Sequence, residues 1–308
     1  MQQDNTPILS VICTSFNHEK YIKECLDGFV MQQTNFLFEI IVHDDASTDS
    51  TAEIVKDYEI KHPNLFFNIY QSENQFTKKG VNIWYDIMLP KARGKYIAIC
   101  EGDDYWTDSL KLQRQVDFLE RNKNLTFCTH RYKIFYENDN SFDKNIHPLN
   151  QNLDENIEIN KDVFFKDWLS QPLSAVVIKD DLLDALSKYS YFKHYRDYHI
   201  FYFLLQKGKG ICLNFCAGVY RINDGGIFSG NARNDKMKTA FLINEELYLY
   251  TKDYRFLFLY WKYVFVIIRN MEGFKLFLKS FISNFNFRDK LKSVKYFLLA
   301  LFDSIVRK

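Results

Sequence analysis

Glu101, Asp103 and Asp104 place three carboxylates within four residues, directly after the apolar run Tyr96-Ile97-Ala98-Ile99-Cys100. Carboxylates this close repel one another unless a cation or hydrogen-bond donors sit among them. The run ahead of them has the length and character of a buried parallel strand. In an open α/β sheet, ligands bind just past the carboxyl ends of such strands. Hard divalent cations such as Mg2+ and Mn2+ take oxygen ligands and bridge to substrate phosphates. Two readings stay open on these residues alone: a metal-diphosphate site, or an acidic solvent loop of the kind Asp pairs form in turns.

Two earlier segments bear on the choice. Thr14-Ser15-Phe16-Asn17-His18-Glu19 follows an apolar strand and contains no glycine, so it is neither a dinucleotide fingerprint nor a P-loop. Its backbone groups and the Phe16 ring can instead hold a planar base. His43-Asp44-Asp45-Ala46-Ser47-Thr48-Asp49 follows a second strand. A carboxylate there can accept the imide N–H of uracil, which cytosine lacks. Each segment also reads as a capping turn before a helix, because Asp, Ser and Thr satisfy helical N–H groups.

The elements that must position these residues alternate. Strands are expected at Ile8–Cys13, Phe38–Val42, Leu65–Tyr70 and Tyr96–Cys100. Between them, 18–33 carries the stripe Tyr21, Ile22, Cys25, Leu26 and Phe29, and Ser50-Thr51-Ala52-Glu53 offers a capping box for a helix to Lys61. A further helix is expected within 80–92. This alternation argues for a parallel sheet with helical crossovers. Beyond the acids, 109–121 reads as a helix inward at Leu112, Gln115, Val116 and Leu119, and Leu125–Tyr136 as extended chain. Glu137–Asn160 reads as a loop, followed by a strand at Leu173–Ile178, helices at Asp180–Tyr189 and Asp197–Gln206, and a strand at Gly210–Tyr220.

Composition sets the bounds. The chain has 308 residues, 47% hydrophobic and 26% charged, with net charge +1. A large core is available and no polyanionic partner is implied, so nucleic acid is not expected. The six cysteines are scattered without a Cys-x-x-Cys pair, which argues against zinc and fits a reducing compartment. No signal peptide is expected, and apolar runs such as 256–268 and 296–302 are too short to span a bilayer. Charge is uneven. Residues 252–308 hold twelve Lys and Arg against four Asp and Glu, and mix these lysines with aromatics. Amphipathic basic helices of this kind suit an anionic membrane surface, or else a helical cap or dimer contact.

Taken together, Ser10-Val11-Ile12-Cys13-Thr14-Ser15-Phe16-Asn17, then Asp44-Asp45-Ala46-Ser47-Thr48-Asp49, then Gly94-Lys95-Tyr96-Ile97 leading to Asp103-Asp104, resemble the family-2 glycosyltransferases in order and spacing. The resemblance covers roughly 7–230. It implies an α/β fold of GT-A type, a Rossmann-like, mostly parallel sheet flanked by helices, with a C-terminal helical extension. The expected division is a glycosyltransferase domain over 1–234, with a nucleotide half at 7–108 and an acceptor half at 109–234, then amphipathic helices over 235–308.

The resemblance also implies roles. Thr14 and Phe16 match positions that contact the uracil ring, Glu19 is assigned with them to the nucleotide-sugar-binding set, and Asp45 matches the acid that reads the base. Asp103 and Asp104 match the Asp-x-Asp-type motif, the first touching ribose and the last binding Mg2+ or Mn2+ on the diphosphate. Lys79, or its neighbour Lys78, lies where relatives often carry a basic residue near the nucleotide. His194-Tyr195-Arg196-Asp197-Tyr198 looks like the acceptor-side motif, which makes Asp197 the general base; an N-cap of the following helix is the competing reading. Tyr220-Arg221-Ile222-Asn223 matches a segment in which relatives often have His where this chain has Asn223, and Arg221 would face phosphate or form a salt bridge. Trp168, with Gln171 and Ser174 nearby, is either an acceptor platform or a core residue. The Gln-x-x-Arg-Trp motif of processive enzymes is absent, which favours transfer of one sugar.

The expected activity is therefore inverting transfer from a UDP-sugar to a glycan or lipid-linked acceptor in surface polysaccharide assembly, in the cytoplasm or at the inner face of the membrane. A nucleotidyltransferase would need a glycine-rich loop after the first strand, and a non-catalytic nucleotide-sugar-binding protein would not need Asp197.

Overall fold

A computed structural model of the chain describes residues 6–147, 155–223, 225, 233–268 and 271–306. The chain forms two compact units: one built from residues up to Tyr191 plus Asp197–Ile222, the other from Phe192–Arg196 plus the residues from Asn223 onward.

In chain order the first unit comprises β1 (Leu9–Ser15), α1 (Ile22–Val30), β2 (Phe38–Asp44), α2 (Thr51–Lys61), β3 (Ile69–Tyr70), β4 (Tyr96–Ile99) and β5 (Tyr105–Trp106). It continues with α3 (Lys111–Arg121), β6 (Leu125–Tyr136), β7 (Ser141–His147), β8 (Ile157–Ile159), α4 (Lys161–Lys166), β9 (Val176–Ile178), α5 (Lys179–Leu186), α6 (Asp197–Lys207) and β10 (Lys209–Ile222). The sheet runs β3-β2-β1-β4-β9-β6-β10-β5, with β7 on β6 and β8 on β10. The first half of the sheet, β3 to β4, is parallel throughout. In the second half β9 runs antiparallel to both β4 and β6, and β10 parallel to β6.

The core lies where the apolar patterns predict it. Leu9, Val11 and Cys13 of β1 meet Ile22, Cys25, Leu26 and Phe29 of α1, and Leu112, Val116 and Leu119 close the adjoining side from α3. β1, β2 and the approach to β4 are tied by a buried polar knot. Glu39 Oε1 accepts from Ser10 Oγ at 2.6 Å and Arg93 N at 2.7 Å, its Oε2 accepts from Arg93 Nε at 2.7 Å, and Ser10 Oγ accepts from Gly94 N at 2.9 Å. A Cβ on Gly94 would sit 2.4 Å from Ser10 N, so no larger residue fits there.

Several local expectations change. Helix α1 starts at Ile22 rather than His18; the residues ahead of it form a turn in which Tyr21 N donates to His18 O at 2.8 Å. The capping box is not formed: Ser50 makes no side-chain cap bond, and Asp49 Oδ1 instead accepts from Thr51 N at 3.0 Å. The helix expected within 80–92 is a π-helical turn at Ile83–Met88. Part of the expected loop at 137–160 is β7, an antiparallel partner of β6, and β8, paired with β10. Residues 148–154 of that stretch lie outside the described residues.

The second unit contains α7 (Arg233–Thr251), α8 (Tyr254–Ile267), α9 (Met271–Ser283) and α10 (Phe287–Val306). Phe241, Tyr248, Phe256, Leu257 and Tyr260 are its fully buried centre. Tyr248 donates to the buried Asp289 at 2.8 Å, and Asn284 to Glu245 at 2.6 Å. His194 Nδ1 pairs with Glu246 Oε1 at 2.7 Å. No described helix is long and apolar enough to cross a membrane.

Candidate active site

The loops after β1 and β2 are laced together. Asn17 N donates to Ser47 Oγ at 2.9 Å, and Asn17 Oδ1 accepts from Thr48 N at 2.8 Å. His18 N donates to Thr51 Oγ1 at 2.8 Å and Glu19 N to Asp49 Oδ2 at 3.1 Å; Glu19 Oε2 accepts from Ser50 N at 3.2 Å. Glu19 therefore clamps the β1 loop to the start of α2. Thr14 is half-buried at the end of β1, and Phe16 presents its ring at 44% exposure. Ser15 Oγ and His18 Nδ1 are buried with no hydrogen-bond partner. Two unsatisfied polar atoms beside an exposed aromatic ring suit a polar, planar ligand.

Asp45 is buried under the loop that follows β3. Its Oδ1 accepts from Gln75 N at 2.6 Å and its Oδ2 from Phe76 N at 3.0 Å. Each oxygen retains a second lone pair. Lys79 is exposed on the same loop, while Lys78 pairs with Glu73 at 2.8 Å.

The carboxylate cluster turns directly against this cradle. Gly102 N donates to Thr14 O at 2.9 Å, and a Cβ on Gly102 would meet His18 Nδ1 at 2.8 Å. Asp104 N closes the turn on Glu101 O at 3.0 Å. Of the three acids, Glu101 is exposed, Asp103 half-buried and Asp104 buried. β5 then pairs with β10, Val219 opposite Tyr105, and this brings Arg221 alongside. Arg221 N donates to Asp104 Oδ1 at 2.8 Å, and Arg221 Nε to Asp103 O at 2.9 Å. The guanidinium also forks to Glu24 and, at 2.8 Å, to Glu137. Of the two readings left open for Arg221, the salt bridge is the one observed; the arginine is buried while its partner carboxylates reach the surface.

Burial holds the Asp104 carboxyl well above the usual carboxylate range; Asp103 adds to the rise and the Arg221 N–H opposes it. A carboxylate so placed gains from a cation. Among the described residues, no three His, Cys, Asp or Glu side chains form a ready cage. One buried carboxylate completed by diphosphate oxygens and water is how Mg2+ is commonly held beside nucleotides, so the donor set fits a divalent ion on Asp104.

Asp197 is the first residue of α6 and half-buried. Burial pushes the Tyr132 phenol up, with Asp104 and Asp197 both contributing; burial also raises Tyr220, again with Asp104 and Asp197 among the causes. Their rings meet edge-on at 6.4 Å. Trp168 stacks at 5.7 Å on Tyr198, the residue after Asp197, and donates to Gln171 at 3.0 Å. Asn223 is buried just past β10.

Sequence reasoning singled out the acids, but not the orphan atoms of Ser15 and His18 or the bonds of Arg221 to the Asp103-Asp104 turn.

Comparison with known proteins bears on the same stretch. Residues 10–174 match the model of glycosyl transferase family 2. An uncharacterized protein of Mycobacterium tuberculosis is 43% identical over 150 residues, which are 49% of this chain and 42% of the relative. The matched region thus spans less than half of that relative. In fold, the chain is similar to S. aureus TarS 1-349, crystallised with UDP-GlcNAc (TM-score 0.56, 18% identity, 96% of this chain and 80% of the other). It is also similar to the mannosyltransferase PcManGT of Pyrobaculum calidifontis in complex with GDP-Man and Mn2+ (TM-score 0.54, 14% identity, 98% and 88%). With the family model spanning more than half of its length, this chain belongs to glycosyl transferase family 2.

Proposed function

We propose that the chain is an inverting, divalent-metal-dependent glycosyltransferase. It moves a single sugar from a UDP-sugar to a hydroxyl of a glycan or lipid-linked acceptor in surface polysaccharide assembly. The observation that carries this reading is the buried Asp104 carboxylate, held by the Arg221 N–H just past β4, together with a second carboxylate, Asp197, at the start of α6. A donor-binding protein without chemistry has no need of the second carboxylate.

In this reading Thr14, Phe16 and Asp45 hold the base, Asp103 the ribose and Lys79 the outer nucleotide, while Glu19 keeps the two loops in register. Asp104 holds Mg2+ or Mn2+, which when bound offsets charge on the departing diphosphate. Asp197 accepts the acceptor hydroxyl proton as that oxygen bonds to the anomeric carbon. The bond from that carbon to the diphosphate oxygen breaks on the opposite face, so the configuration inverts. UDP-GlcNAc in the S. aureus structure supports a uridine donor, and Mn2+ in the P. calidifontis structure supports the metal. Residues 252–308 are the segment assigned to an anionic membrane surface, at the inner face in the cytoplasm.

Metal-dependent release of UDP from a panel of UDP-sugars, with GDP-mannose alongside, tests the proposal. Wild type should release UDP with Mn2+; Asp104→Ala and Asp197→Asn should each lose on the order of 10²-fold or more. Equal release by all three folded proteins removes both assignments, and release of GDP alone removes the uridine donor.

A further inference from the structure

The last two helices of the second unit carry their large apolar residues on the wrong side for a water-facing surface. On α9, Phe274, Leu278 and Ile282 follow one another at four-residue spacing and are all exposed, Ile282 to 65%. On α10, Leu291, Val294, Leu298 and Phe302 follow at three- and four-residue spacing, with Leu291 60% and Phe302 68% exposed. Such spacing puts each set on a single helix face. Apart from Asp289, which pairs with Tyr248 and Lys252, the buried positions described on these helices are small: Gly273 and Ser280 on α9, Ser293 and Ala300 on α10. They are small because α8 fills the interior with large rings. Ser280 Oγ lies 3.0 Å from Tyr260 Oη, and Ser293 Oγ accepts from Trp261 Nε1 at 3.3 Å. Phe277 and Phe297 add ring contacts on Trp261 at 5.7 and 5.1 Å, which supply the remaining packing.

Cations flank this apolar surface. Lys275, Lys279 and Lys295 are exposed beside the two stripes, as is Arg288. Residues 271–306 hold six Lys and Arg against three acids. Two of those acids are already engaged: Asp289 with Tyr248 and Lys252, and Asp303 with Lys262 at 3.0 Å. The exposed charge is therefore mainly positive. Long cationic side chains beside a wide apolar face reach outward to headgroups while the face enters the acyl boundary. A second copy docked face to face would bring the same lysines together, which like charges oppose.

We propose that the outward faces of α9 and α10 seat this unit in the headgroup–acyl boundary of an anionic membrane. The proposal rests on, and narrows to two helix faces, the membrane assignment of residues 252–308 given above, and stands or falls apart from the transfer chemistry. Sedimentation of the full chain with phosphatidylglycerol vesicles, against phosphatidylcholine vesicles, tests it. Wild type should pellet with the anionic vesicles and be released by raised salt. Leu291→Ser/Leu298→Ser/Phe302→Ser should lower binding at least tenfold, with the melting temperature kept because these side chains are exposed. Lys275→Glu/Lys279→Glu/Lys295→Glu should abolish the preference for phosphatidylglycerol. Vesicle binding by the triple-serine protein equal to wild type overturns the proposal. So does a wild-type dimer that the same substitutions dissociate, without vesicle binding by either form; should the triple-serine protein melt early, Phe302→Ser alone gives the same reading.

Discussion

Arg221 holds the Asp103-Asp104 turn at two points: its backbone N–H reaches Asp104 Oδ1 at 2.8 Å and its Nε reaches the Asp103 carbonyl at 2.9 Å. The guanidinium is further committed to Glu24 and Glu137. Its role is thus to fix the carboxylate that would hold the metal, not to grip phosphate. Arg221→Lys keeps the backbone bond but loses the fork, since an ammonium cannot bridge three acceptors in one plane. We expect the Mn2+ concentration for half-maximal UDP release to rise at least several-fold, with a stability loss on the order of 2 kcal/mol. An unchanged metal midpoint in a folded Arg221→Lys protein would refute this role.

Asp45 staples the loop after β3 through Gln75 N and Phe76 N. Asp45→Asn leaves one carbonyl oxygen where two acceptors stood. Faster amide exchange at Gln75 and Phe76 should accompany about tenfold weaker donor binding, roughly 1.4 kcal/mol. Weaker binding with unaltered exchange would mean that Asp45 acts on the base alone.

Lys111 is fully buried, 3.9 Å over the Trp106 ring and 2.8 Å from Gln115 Oε1. Burial lowers its ammonium from 10.5 to about 7. The unfolded chain therefore binds a proton that the native protein lacks between those values, and stability rises with pH across that window. Below about 7 both states are charged and the penalty is present in full. Lys111→Met should raise stability at pH 7 by on the order of 3 kcal/mol, after the lost Gln115 bond is set against the gain. Thermal melts from pH 6 to 10 should show that advantage shrinking as pH rises; a constant difference would contradict it.

Glu39 is 1% exposed and serves Ser10, Arg93 N and the Arg93 side chain at once. Glu39→Gln turns one acceptor into a donor facing donors. The expected loss is roughly 3 kcal/mol in urea unfolding, with the slope unchanged. A loss under about 1 kcal/mol would show that the knot relaxes around the amide.

Much of the fold was legible because its signals are local. The apolar runs of β1, β2, β4 and β6 exclude water wherever they lie, and the buried stripe of α3 at Leu112, Gln115, Val116 and Leu119 is a helical period. β7 was not legible: Ser141–His147 is an edge strand facing water, with no apolar alternation to mark it. The capping box was a false signal: Ser50 makes no side-chain cap bond, and Asp49, one residue earlier, takes the Thr51 N–H instead.

The site divides in the same way. By itself the sequence determined that Glu101, Asp103 and Asp104 follow a buried strand, since charges cannot enter that strand and must gather at its end. It also marked Asp197 as the start of a helix. Which acid is buried was decided by tertiary structure: pairing of β5 with β10 joins Asp104 to Arg221, 117 residues away. Tertiary structure likewise turned the apolar stripes of α9 and α10 outward. Proximity across strands, and the side of a helix left uncovered, depend on what packs against each element, and no local pattern of residue types carries that information.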